Sequence, residues 1–147
     1  MCHFVCLLLV ANVAALSVSN QGTLFGGIAD HANLEFSADI VVDEQLSLSN
    51  IVDIVIDGNS HTLRAGNSRC ILIKRTIAHF FSLTIKDGNS TGDRKDDLNG
   101  GGVRIDGNSI VTFESCVITN SVANFKMGQG GRGGGLHVDG SVGGSKP

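Results

Sequence analysis

The sequence has no tryptophan and no tyrosine, and its single proline is the last residue, Pro147. Aromatic residues make up 5% of the chain, so the flat platforms that a sugar-binding cleft usually offers are missing. Positive charge is not in excess either: 11 Lys and Arg stand against 14 Asp and Glu, for a net charge of −3 and a pI near 5.9. Without a basic stripe to neutralise a phosphate backbone, the balance argues against nucleic acid as a partner. Long apolar runs are also lacking. The one candidate, Phe4 to about Leu16, is too short to span a membrane comfortably.

That segment carries no charge and is followed by small residues, with Val13 and Ala15 fitting a cleavage site, so residues 1–17 read as a signal peptide. Its n-region, Met1, Cys2 and His3, has no Lys or Arg, which leaves a buried first strand or a misplaced start as alternatives. Removal of the segment takes Cys2 and Cys6 with it. Cys70 and Cys116 then remain, either as one disulfide or as two buried, hydrophobe-like thiols.

Glycine is abundant, at 20 of 147 residues, a length that suits one small domain. The balance is poor for helices and good for tight turns. The tetrapeptide DGNS occurs at 57–60, 87–90 and 106–109, with a broken copy, DGSV, at 139–142. Before these stand IVI, LTIK, VRI and LHV, short alternating or β-branched runs that read as strands ended by turns.

A second periodicity fixes the register. GGGVRIDG from Gly100 lies over GGGLHVDG from Gly133, and FSLTIKDG from Phe81 lies over ESCVITNS from Glu114, both at an offset of 33 residues. In this alignment Val103 and Ile105 match Leu136 and Val138, with Arg104 and His137 on the opposite face. Leu83 and Ile85 likewise match Cys116 and Ile118, which puts Cys116 in an inward, buried row. Strands that repeat without intervening helices bury their inward rows by stacking coil on coil. The expected fold is all-β, a right-handed parallel β-helix of about three to four coils. Residues 18–39 are its lead-in, 40–142 the repeats and 143–147 a tail.

The stretch from Ile54 to Val142 resembles the right-handed parallel β-helix repeats of the pectate-lyase-like superfamily. IVIDGNSHTL resembles an opening coil. GGGV (100–103) and GGGL (133–136), with VTFESCVITNSVA between them, are similar to the repeats of polymorphic outer membrane proteins. Those repeats carry a GGA-plus-aliphatic motif and an F-x-x-N motif. Here the third glycine replaces Ala, and Cys116 stands where Asn is expected. The resemblance implies an extracellular β-helix, and in its closer form a surface adhesin.

Candidate chemistry is sparse. In a stack, Asp106 lies about 4.8 Å from Asp139 and Arg104 equally near His137, and two carboxylates about 5 Å apart suit a retaining glycosidase. Each Asp also precedes Gly at a strand end, where it serves as a turn residue. The Gly-His-Gly and Arg-Ile-Lys strings of polygalacturonase-like enzymes are absent.

Other readings are weaker. Asp87, Asp93, Asp96 and Asp97 could gather Ca²⁺ as a cofactor, although Arg94 and Lys95 sit among them. His31, His61 and His79 show no metal-ligand spacing. GQGGRG (128–133) satisfies G-x-G-x-x-G but is followed by a strand instead of a helix, so no dinucleotide is expected. Asn89-Ser90-Thr91 is the one N-glycosylation sequon, expected on a turn after a strand.

The functional expectation is a secreted or cell-surface β-helix with a structural or adhesive role and no evident catalytic motif, meeting an extracellular glycan or surface protein. The alternative is a polysaccharide lyase or glycoside hydrolase of the pectin-degrading type. The last unit runs out in SVGGSKP with no visible cap. A truncated piece of a longer β-helix is therefore expected, or a chain that self-associates through its C-terminal edge.

Overall fold

The computed structural model describes residues 14–92, 99–125 and 133–139. A strand β1 (Leu16–Val18) and a short helix α1 (Gln21–Gly26) lead into four coils. The first coil consists of β2 (Asn33–Phe36), β3 (Ile40–Val42) and β4 (Leu46–Ser49). The second consists of β5 (Ile54–Asp57), β6 (Thr62–Ala65) and β7 (Ile71–Lys74). The third has β8 (Ile77–Phe81), β9 (Thr84–Lys86), an extra β10 (Asn89–Gly92) and β11 (Val103–Asp106). The fourth repeats that plan with β12 (Ile110–Glu114), β13 (Val117–Thr119), β14 (Val122–Phe125) and β15 (Leu136–Asp139).

Corresponding strands stack into three walls, and every pairing is parallel. Face A is β1-β2-β5-β8-β12, face B is β3-β6-β9-β13, and face C is β4-β7-β11-β15. β10 and β14 form a small fourth face. The architecture is an all-β parallel β-helix, as the repeat pattern predicts. The register set by the 33-residue offset is also the observed one: Val103 pairs with Leu136, Thr84 with Val117 and Phe81 with Glu114.

Alternation within each strand explains the core. Ile54 and Ile56 of β5, Leu63 and Ala65 of β6, and Ile71 and Ile73 of β7 point inward and are excluded from solvent. Each leucine and isoleucine among them contributes roughly 1.5–3 kcal/mol through burial. On face A the inward row runs Leu34, Ile56, Phe80, Phe113. The last two rings stack with centroids 5.0 Å apart and planes 14° from parallel, adding about 0.5–1.5 kcal/mol.

The coil begins earlier than residue 40. β2 pairs with β5 in register, and β1 extends the same wall, so residues assigned to a lead-in already belong to the stack. These first coils lack the glycine punctuation on which the repeat was recognised. α1 was also unforeseen. It starts with a capping box, in which Asn20 Oδ1 accepts from Thr23 N at 3.0 Å and Thr23 Oγ1 accepts from Asn20 N at 3.3 Å. Its Leu24 is fully buried against the N-terminal end of the core.

The three DGNS copies turn out to occupy three different corners. Asp57–Ser60 turns from face A towards face B, with Asn59 and Ser60 at φ 46° and 66° and Asp57 Oδ1 accepting from Asn59 N at 2.8 Å. In the second copy Asp87, after face B, holds the positive φ, at 59°, and Asn89 and Ser90 already lie in β10. In the third it is Gly107, at 63°, turning from face C back to face A, while Ser109 Oγ donates to Asp106 O. One tetrapeptide thus makes three turns, and only the 33-residue offset is a structural repeat.

Chain leaving a wall loses its ladder partners, and polar side chains replace them. Asp30 Oδ1 accepts from Val52 N at 2.8 Å, Asp39 Oδ1 from Thr62 N at 2.9 Å, and Gln21 Oε1 from Asp43 N at 2.8 Å, each one coil away. Thr76 and Ser109 do the same at the corner between faces C and A. These bonds satisfy amides that have left the ladder.

At the other end the fourth coil has nothing beyond it among the described residues. Its inward residues are accordingly exposed, Leu136 at 42% and Val138 at 60%, although their counterparts Val103 and Ile105 are buried.

Close packing between coils gives a paired test. A Cβ on Gly58 would lie 2.6 Å from Leu83 Cα, so Gly58→Ala should lower stability by about 2–3 kcal/mol. Gly26, with nothing within 4 Å of its Cβ position, sits in α1. Gly26→Ala should be neutral or stabilising by about 0.5 kcal/mol. Urea midpoints of the two variants read the opposite signs directly.

Candidate functional site

Face C carries the charged residues singled out from the sequence. Its outward side presents two columns across the coils: Ser47, Leu72, Arg104, His137 and Ser49, Lys74, Asp106, Asp139. Parallel pairing therefore does bring Asp106 beside Asp139 and Arg104 beside His137. Arg104 Nε lies 2.7 Å from Asp106 Oδ1, and Lys74 Nζ lies 3.8 Å from Asp106 Oδ2. Both oxygens of Asp106 are engaged by cations, so addressing a glycosidic bond would mean surrendering one of these contacts.

The glycine runs explain why this pair is sheltered. Gly100 has φ 65°, and a Cβ there would collide with Val103 O and lie 3.0 Å from Arg104 Cβ. The run folds closely against the strand that follows it. Gly133 repeats this over His137, at φ 60° and 3.1 Å from His137 Cβ.

Among the described residues the remaining candidates are not gathered into a site. Asp87 Oδ2 is paired with Arg64 Nε at 2.7 Å. Asp93, Asp96 and Asp97 lie outside the described residues, as do most of GQGGRG, residues 1–13 and the tail. Among the described residues no group of three or more His, Cys, Asp or Glu is arranged to hold a metal ion.

Asn89 opens β10 instead of sitting on a free turn. Its amide N–H donates to Ser68 O at 2.8 Å, and its side-chain Oδ1 is buried without a donor. His31, His61 and His79, unremarkable in sequence, face aspartates of neighbouring coils. His31 Nδ1 and His79 Nε2 lie 3.7 and 3.6 Å from the two oxygens of Asp53, and His61 Nδ1 lies 3.4 Å from Asp39. On so open a surface such contacts contribute little.

Arg69 was missed from the sequence, where nothing marks it. It is buried, and its Nε donates to Gly100 O at 2.9 Å, Nη1 to Gln45 Oε1 at 3.1 Å, and Nη2 to Ser90 Oγ at 3.0 Å and Asn99 O at 2.9 Å. One guanidinium thus joins the first coil to both sides of the polar insert that separates β10 from β11.

Cys70 and Cys116, the cysteines among the described residues, are both free. Cys70 is fully buried, its Sγ 3.2 Å from Lys86 O. Burial pushes its thiol up to about 11, the backbone bond with Ala65 opposes this, and the charge of Asp87 adds to it. Cys116 is half-buried, not buried as the alternating row predicts. Its inward position is correct, but it lies in the fourth coil, which no further rung covers among the described residues.

Comparison with protein-family models, curated proteins and solved structures finds no match to this chain.

Two outcomes follow from this chemistry. Arg69→Met should cost about 2–4 kcal/mol in urea unfolding, because several charge-assisted bonds are lost and their carbonyls stay buried. A thiol raised on folding leaves stability intact below the ordinary 9.0 and erodes it as pH climbs towards about 11. The loss should total about 2–3 kcal/mol and vanish in Cys70→Ala. Native labelling at pH 8 should modify Cys116 and spare Cys70 until denaturant is added.

Proposed function

We propose that this chain is a secreted or cell-surface β-helix with a structural or adhesive role. The observation that carries the reading is the set of walls: in-register rows of outward side chains around a buried apolar core, with the best carboxylate candidate, Asp106, held in ion pairs. Such walls are a scaffold for surface recognition, and the same solenoid can host enzymes, so the fold itself does not choose. The glycine-run resemblance to polymorphic outer membrane protein repeats, within a pectate-lyase-like solenoid, supports an extracellular setting. So does the N-terminal segment read as a signal peptide.

The second reading, a polysaccharide lyase or glycoside hydrolase, is favoured by one specific observation, the register of Asp106 against Asp139. Incubation with polygalacturonate and related glycans, with and without Ca²⁺, discriminates the two. The surface role predicts no unsaturated product and no new reducing ends. Turnover that disappears in Asp106→Ala overturns it.

The exposed inward row of the fourth coil makes pairing with another chain the accompanying expectation. Light scattering over a concentration series should find association that grows with concentration. A monomer whose unfolding transition is sharp and independent of concentration refutes it.

A further inference from the structure

Two arginines are buried to the same degree, each 8% exposed, and their surroundings are opposite in kind. Arg69 has an acceptor for every nitrogen of its guanidinium. Arg104 uses only Nε, donating to Asp106 Oδ1 at 2.7 Å. Its Nη1 and Nη2 have no hydrogen-bond acceptor among the described residues. A guanidinium never sheds its charge, and these two nitrogens keep their access to solvent, because among the described residues Asn89 Oδ1 is the one side-chain polar atom that is both buried and without a partner. An arginine whose stem is buried while its donor edge stays open to solvent calls for an explanation beyond packing.

The direction of the side chain supplies one. Val103 and Ile105 on either side of Arg104 point into the core, so Arg104 projects from the outward side of face C. Leu72 flanks it on the preceding rung and His137 on the following one. Lys74 stands in the adjoining column with its ammonium half-exposed. Asp106, already in contact with Arg104 Nε and Lys74, fixes the guanidinium plane and leaves the Nη edge free.

We propose that Arg104 is the anchor of a carboxylate-binding site on face C. The Nη1 and Nη2 edge matches the two oxygens of a planar carboxylate, the geometry in which arginine binds most specifically. His137 and Lys74 are the flanking donors. Local charge selects a monoanion: Arg104 and Lys74 are offset by Asp106 and Asp139, so a dianion would meet two carboxylates without surplus cations to balance it. The ligand chemistry is shared by a sugar acid and by an acidic amino-acid side chain. The site rests on the geometry of Arg104 and not on the surface role, so the failure of either leaves the other standing.

Thermal unfolding and ¹⁵N NMR of the arginine side chains test this with the whole chain. Acetate, D-glucuronate and N-acetyl-L-glutamate α-amide are titrated against sodium chloride and sodium sulfate at matched ionic strength. The carboxylates should raise the unfolding midpoint saturably and shift the Arg104 side-chain signals while those of Arg69 stay in place. Arg104→Gln should abolish the effect, and Arg104→Lys, which keeps the charge but not the fork, should weaken binding at least about tenfold. If Arg104→Gln does not fold, the Lys variant decides. Tighter binding of glucuronate assigns a sugar acid, and tighter binding of the amide assigns an acidic side chain. Chloride or sulfate matching the carboxylates, or Arg104→Lys binding as well as the parent chain, overturns the proposal.

Discussion

Stacked rungs leave roughly 4.8 Å between neighbouring strands, and nearly everything in this chain is arranged around that spacing. A coil on its own has an apolar row on one side of each strand and unpaired amides and carbonyls along both edges. Only another coil placed in register answers both needs at once. Burial of Ile56 therefore depends on Leu34 and Phe80, and the hydrogen bonds of β5 depend on β2 and β8. Cohesion is passed from rung to rung and has no centre.

Such a dependence makes the corners the difficult places, because a corner must turn within the same spacing. Residues in the left-handed region recur there in columns. Asn50, Arg75 and Gly107 stand at one corner, and Ser82 and Ser115 at another. A non-glycine residue in this region costs on the order of 1–2 kcal/mol, and the bonds at each corner offset part of that. Arg75 Nε, for example, donates to Asn50 Oδ1 at 2.8 Å across one coil.

Much of this architecture was readable before any coordinates. The 33-residue offset predicted the pairing of Val103 with Leu136 and of Phe81 with Glu114, because equal coil length and period-two alternation leave few other registers. Where the stack begins was not readable, because β1 and β2 were read as a lead-in and the first two coils do not follow the 33-residue offset. They have shorter spacings, and their strands, such as Asn33–Phe36, end in corners made by Asp and Ser side chains instead of glycine. DGNS misled for a related reason: a good turn former is useful at any corner and so marks none in particular. Of the face C residues, the sequence could place Arg104 beside His137 and Asp106 beside Asp139. Burial and hydrogen bonding could not be read from it. Arg69 and Arg104 look alike as letters, yet one is saturated with acceptors and the other is not.

The path between faces B and C shows what the stack leaves free to vary. It runs from Val42 to Leu46 in the first coil, from Ala65 to Ile71 in the second, and from Lys86 to Val103 in the third. The walls keep their register throughout. All the added length enters at one corner, between points that Arg69 ties together. That corner behaves as a socket. Segments of quite different length and composition could be exchanged there without disturbing the rungs, so new surface chemistry could accumulate along one seam of the solenoid while the rest of the molecule is held constant.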